Sequence, residues 1–125
     1  MGEIKTYFFD TYAFYELING NPNYTEYSSN IVIVTTKLNL MELHYGLMLL
    51  HGKEKADEYY DQFVKFSVEF DDKTIKLSNE FKMQNKDKKL SYIDCLGYIT
   101  AKLMNIPFLT GDKGFQDIEN VEYVK

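Results

Sequence analysis

Two short runs limit the fold of this chain more than any other feature. Thr6-Tyr7-Phe8-Phe9 and Ile31-Val32-Ile33-Val34 are β-branched or aromatic, with no polar alternation. A strand with one face in water alternates polar and apolar residues, whereas a strand covered on both faces does not. Each run is too short for a helix, and each passes into a stretch with helical character. Buried strands feeding helices imply an α/β sandwich around a mostly parallel sheet, joined by right-handed crossovers. The first run stops at Asp10. In open parallel sheets the ligand crevice lies beyond the carboxyl ends of the strands, so Asp10 is expected to face it.

The remaining elements follow from punctuation and periodicity. Strands are expected at residues 4–9, 30–35, 65–70, 107–110 and, weakly, 121–124. Helices are expected at 11–18, 36–50, 53–66, 73–89 and 92–105. Asn19-Gly20-Asn21-Pro22-Asn23 is a dense turn signal between the first helix and the second strand. No repeat or linker interrupts the pattern, so residues 1–125 are expected to form one domain, with enough length for one core.

Composition narrows the class of protein. A hydrophobic share of 45% with 26% charged residues argues against disorder. The single cysteine, Cys95, excludes an internal disulfide framework and suits a reducing compartment. No leader pattern and no apolar run of spanning length is present, so a cytoplasmic protein with no membrane segment is expected. The net charge is −5, and all positive side chains are lysines. Without arginine forks a broad phosphate-gripping surface is disfavoured, but an acidic chain that binds divalent cations can still recover phosphate affinity locally.

Four acids need an explanation. Asp10 can cap the first helix, and Asp112, after Thr110-Gly111, can bond its own turn. Asp94 lies three residues after Ser91, where an acid closes a capping box. Glu42 can be the solvated edge of an amphipathic helix. Each bland reading suffices alone. Together, two of these acids lie just past strand ends and one at a helix start. The fourth, Glu42, shares a helix face with Leu38, Tyr45, Gly46 and Leu49, expected to pack on the sheet. Asp94 shares its face with Gly97 and Ala101, small residues that let a helix approach the sheet closely.

If the four converge, their repulsion is large: two carboxylates 4 Å apart repel by roughly 4 kcal/mol at an effective dielectric near 20. A hard divalent cation removes that cost, and Mg²⁺ uses few carboxylates together with water and substrate phosphate. Metal-assisted phosphodiester hydrolysis is the chemistry such a cluster suits. The other motifs are weaker. His44 and His51 are seven apart, not the four of a helical zinc pair. Cys95 has no activating cation beside it and reads as packing. No Walker loop, Gly-x-Gly-x-x-Gly or Gly-x-Ser-x-Gly occurs.

With these residues in view, the chain resembles the PIN domain family, and within it the toxins of VapBC-type toxin–antitoxin pairs. The resemblance covers nearly the whole length. It is carried by Phe8-Phe9-Asp10-Thr11, by Leu40-Met41-Glu42-Leu43-His44-Tyr45-Gly46-Leu47, by Leu90-Ser91-Tyr92-Ile93-Asp94, and by Phe108-Leu109-Thr110-Gly111-Asp112-Lys113-Gly114-Phe115. It implies a three-layer sandwich on a five-stranded sheet of order 3-2-1-4-5, and a Mg²⁺- or Mn²⁺-dependent endoribonuclease. Asp10, Asp94, Asp112 and Glu42 would form the metal-binding catalytic site, with Thr11 and Thr110 orienting carboxylates. The family's last motif often carries a second acid where this chain has Gly114; Asp117 is the nearby candidate to replace it.

Partners also follow from the resemblance: an RNA substrate, an antitoxin protein and a second copy of the chain in a homodimer. RNA contacts would fall to lysines, with Lys37, Lys86, Lys88, Lys89 and Lys113 the candidates by position. Tyr59, Tyr60 and Phe63, or Met41, Leu47, Met48 and Leu50, are candidate partner surfaces. Two alternatives stay open: a PIN-type RNA-processing nuclease without an antitoxin, and a non-catalytic binding module on the same fold. A phosphate-accepting receiver domain fits less well, because it wants paired acids after the first strand and Asp10 stands alone.

Overall fold

A computed structural model describes residues 4–125. The chain runs β1 (Lys5–Phe9), α1 (Thr11–Ile18), a 3₁₀ turn (Pro22–Tyr27), β2 (Ile31–Val34), α2 (Lys37–His51) and α3 (Lys53–Phe63). It continues through α4 (Asp72–Gln84), α5 (Tyr92–Met104), β3 (Phe108–Thr110) and β4 (Val121–Tyr123). The sheet is parallel throughout, in the order β2-β1-β3-β4. β1 lies inside it, with Phe8 opposite both Val34 and Phe108.

The two buried faces of β1 each build a core. Tyr7 and Phe9 point to one side, where Phe14, Leu40, Leu43, Leu47 and Phe63 close over them. Phe8 points to the other, among Leu90, Tyr98, Phe108 and Phe115. Side chains alternate across a strand, so aromatics at three successive positions serve two layers at once. On the second side α5 sits close to the sheet at Gly97, where a Cβ would stand 3.0 Å from the Phe8 ring. This is the close approach that the Gly97 and Ala101 face implies.

The expected fifth strand does not form. Residues 64–66 make a 3₁₀ turn, tightened by the Ser67 hydroxyl donating to the Val64 carbonyl at 2.7 Å. The segment then touches β2's end through one parallel bridge, Thr35 to Ser67. The turn takes the first residues of the expected strand, and the rest makes only that bridge. Among the described residues the sheet therefore has four strands rather than five, in the order β2-β1-β3-β4 in place of 3-2-1-4-5. Two expected helices are also shorter. The third ends at Phe63, and the fourth stops at Gln84 before a separate 3₁₀ turn over Lys86–Lys88.

Packing corrects the surface expectations as well. The buried stripe of α2 is Asn39, Leu40, Leu43 and Leu47, so Tyr45 and Leu49, expected against the sheet with Glu42, face solvent. Phe63 is core, its ring 4.8 Å from Phe14, and Tyr59 and Tyr60 are half-buried around it. Met41, Met48 and Leu50 are exposed, but Leu47 is not. Among the described residues no helix is long and apolar enough to cross a membrane.

Candidate active site

β1 and β3 end side by side, and each hands the chain to a turn that begins with an aspartate. Asp10 follows Phe9 and caps α1, accepting from the Ala13 amide at 2.8 Å. Asp112 follows Thr110-Gly111 and accepts from the Gly114 amide at 3.0 Å. Asp94 enters from α5, where Ser91 and Asp94 form a reciprocal capping box with bonds of 2.9 and 3.0 Å. Every bland role read for these aspartates is therefore present. Each cap occupies one carboxylate oxygen and fixes the direction of the other.

Burial separates these caps from ordinary ones. Asp10 is only 3% exposed. Desolvation pushes its carboxyl up to about 8, with the charges of Asp94 and Asp112 adding to the rise. Bonds from the Thr110 side chain and the Ala13 amide oppose it. The Asp94 carboxyl is also raised, chiefly by burial and then by Asp112 and Glu42, while its bonds to Ser91 pull it down. Glu42 is half-buried on α2 and acts on both Asp94 and the Tyr15 hydroxyl. Asp94 is thus the common neighbour: it acts on Asp10, and Asp112 and Glu42 act on it.

They do not form a closed cage. Among the described residues no three His, Cys, Asp or Glu side chains stand close enough together to hold a metal ion. The donors are nonetheless all hard carboxylate oxygens, and a buried Asp10 beside two like charges is the arrangement a cation would relieve. This donor set fits a hard divalent ion that keeps several waters, and does not fit a fully enclosed one.

The floor of the site is a threonine–asparagine network. Thr110 Oγ1 accepts from the Asp112 amide at 3.0 Å, and the same side chain favours the charged form of Asp10. Thr11 is turned elsewhere: its hydroxyl lies 3.4 Å from both the Asn39 carbonyl and the Asn39 side-chain amide, not on a carboxylate. Thr35 donates to the Phe9 carbonyl at 3.0 Å, and Thr36 donates to Asn39 Oδ1 at 2.6 Å. Asn39, almost fully buried, was not among the expected site residues. Its signal was a polar residue on the apolar face of a helix, three after the Thr36 cap.

Gly114 takes its identity from packing. A Cβ there would meet Leu90 Cδ2 at 2.7 Å and the Lys88 carbonyl at 3.3 Å. A larger residue at this position would force the Leu90 side chain to repack and the Lys88 carbonyl to shift slightly. Asp117 is exposed and is not among the groups that shift Asp10 or Asp94. Of the lysines, Lys89 and Lys113 are exposed beside the turns that carry Asp94 and Asp112. Lys37 is exposed at the start of α2, lining a separate groove with Leu38, Met41 and His44. His44 is bound to Asp57 of α3 at 2.7 Å, and Cys95 is buried, its thiol pushed up to about 11 by burial.

The same architecture occurs in solved toxin–antitoxin assemblies. A toxin–antitoxin complex from Klebsiella pneumoniae contains a chain with a TM-score of 0.70 and 19% identity, covering 91% of this chain and 93% of that one. VapBC2 from Rickettsia felis, bound to a DNA fragment from its promoter, gives 0.71 and 22%, covering 96% and 99%. VapBC-1 from nontypeable Haemophilus influenzae gives 0.70 and 16%, covering 94% and 96%. No curated protein matches this chain. At these identities the structures speak for the fold alone. The PIN domain family, however, matches residues 7–121, from β1 to the start of β4, and the chain belongs to that family.

Proposed function

We propose that the protein is a metal-dependent endoribonuclease that hydrolyses RNA phosphodiester bonds, and that it acts as the toxin of a VapBC-type pair. The observation that carries this reading is Asp10, buried at the end of β1 and facing the charges of Asp94 and Asp112. Asp10 and Asp94 would hold a Mg²⁺ or Mn²⁺ ion, with Asp112 and Glu42 completing the acidic wall. The ion would supply activation of a water and shielding of the scissile phosphate. The chain's own part is positioning. The caps at Ala13, Ser91 and Gly114 aim the carboxylates, and Thr110 holds the Asp112 backbone. Thr11 holds the start of α2 through Asn39 and reaches the acids only indirectly.

The toxin assignment and the antitoxin partner are supported by membership of the PIN family together with the likeness to chains of toxin–antitoxin complexes, two of them VapBC. The homodimer rests on the exposed apolar face of α2. A PIN nuclease serving RNA processing without an antitoxin uses the same site, and toxicity on expression with rescue by an adjacent gene separates the two. The central test is RNA cleavage with Mg²⁺ or Mn²⁺, with and without EDTA, in wild type and Asp10→Asn. Cleavage should require the metal and fall at least a hundredfold in the variant, on the order of 2.7 kcal/mol or more of lost transition-state stabilisation. Equal activity in a folded Asp10→Asn protein would remove Asp10 from the site. No cleavage of any RNA by wild type would leave the binding-module reading.

A further inference from the structure

The lysines of this acidic chain are not evenly used. Lys53, Lys55 and Lys102 are paired with acids, whereas the other described lysines, Lys86 and Lys89 among them, have no acidic partner within ion-pair distance among the described residues. Both line a pocket of about 310 Å³ between the end of α4 and the start of α5, together with Lys82, Asn85, Leu90 and Tyr92. That volume is at the lower end of the range for small-ligand sites. Tyr92 is 71% exposed, so most of its ring is open to solvent. Lys82 is committed to holding the wall: its ammonium donates to the Leu90 carbonyl and lies 4.9 Å from the Tyr92 ring centroid.

The backbone adds an independent observation. Six described residues have positive φ between 56 and 87°; five are Asn or Gly, and the exception is Lys89 at 56°. A lysine is strained there, and strain held at one exceptional residue points to a use for its side chain. The pocket also adjoins the acids. Between Leu90 and Tyr92 on its wall comes Ser91, which caps onto Asp94. Lys88 and Leu90 pack on Gly114, whose amide bonds Asp112.

We propose that this pocket holds a nucleotide of the RNA strand adjacent to the cleaved bond, with phosphates on Lys86 and Lys89 and a base stacked on Tyr92. Lysines supply point charges for phosphates, and an aromatic face accepts any base without reading its sequence. The pocket thereby gives an acidic, arginine-free chain a local grip on a polyanion. The proposal rests on the ribonuclease reading of the acidic site.

The test is binding of a fluorescein-labelled single-stranded RNA of randomised sequence, in EDTA, across a salt series. Each phosphate contact on a single strand contributes about 0.7 to the slope of log affinity against log salt, so Lys86→Gln/Lys89→Gln should make it shallower by about 1.4. Tyr92→Leu should bind roughly tenfold more weakly with the slope unchanged. Lys89→Gly, freed of left-handed strain, should melt no lower than wild type and still lose affinity. The control Lys53→Gln/Lys55→Gln removes the same charge elsewhere and should leave the slope alone. Equal losses in the control, or unchanged binding in the pocket variants while wild type binds and cleaves RNA, would overturn the pocket and leave the nuclease standing. Wild type that neither binds RNA nor cleaves it with Mg²⁺ or Mn²⁺ would overturn both.

Discussion

Asp10 does two jobs with one carboxylate, capping α1 through Ala13 and presenting charge beside Asp94 and Asp112. The second job opposes stability. Its carboxyl titrates near 8 in the folded chain against an ordinary value of 3.8. Between those values the folded state keeps a proton that the unfolded state has released. The stabilising effect is therefore complete below about pH 4 and is lost as pH rises through about 8. Asparagine at this position stays neutral and can still accept from Ala13. In EDTA at pH 8, Asp10→Asn should melt several degrees above wild type by calorimetry, and the gap should close near pH 4. Mg²⁺ should raise the wild-type midpoint and leave the variant's unchanged. A variant less stable than wild type at pH 8 would mean that the burial cost has been compensated by the protein itself.

At the scale of elements, α5 holds Asp94 in place by two devices. The capping box fixes its carboxylate, and Gly97, three residues on, sets the distance of the helix from the sheet. Ser91→Ala should cost about 1 kcal/mol in urea denaturation, as lost caps do, and should lower cleavage because the Asp94 carboxylate loses its guide. Gly97→Ala has opposing terms. Alanine improves helix propensity by up to about 1 kcal/mol, while overpacking against Phe8 and Phe108 typically costs about 1–3. The contacts of 3.0, 3.2 and 3.3 Å fall on core rings with little room to give, so a net loss is expected. Normal stability and activity in Gly97→Ala would show that the helix can lift without moving Asp94.

On the whole molecule, one face of α2 has no cover. Met41, Tyr45, Met48 and Leu49 are all exposed, while the opposite face of the helix is fully used by the core. Large exposed apolar side chains in a row mark association surfaces more often than chance exposure does. Tyr45→Lys/Leu49→Lys should therefore leave the circular dichroism unchanged and shift the solution mass from dimer toward monomer. A wild-type protein that is monomeric at micromolar concentration would refute the homodimer. Of the expected surface at Tyr59, Tyr60 and Phe63, Phe63 is core, while Tyr59 and Tyr60 remain half-buried around it.

The sequence by itself determined the class of fold and the local caps and turns of the three aspartates. Tyr7, Phe8 and Phe9 need cover on both faces of a strand, and a parallel sheet with helices on both sides provides it. The aspartates are legible because caps and turns are local: Asp10 to Ala13, Ser91 to Asp94 and Asp112 to Gly114 each span three residues or fewer. Tertiary structure decided whatever depends on distant neighbours. It reduced residues 65–70 to a turn and one bridge, since strand pairing is settled by the partner and not by local propensity. It rotated α2 so that Tyr45 and Leu49 face out, because periodicity shows an apolar stripe but not where its centre lies. It also raised the Asp10 carboxyl through burial, bringing distant acids near one another, and burial is a property that no short stretch of chain possesses.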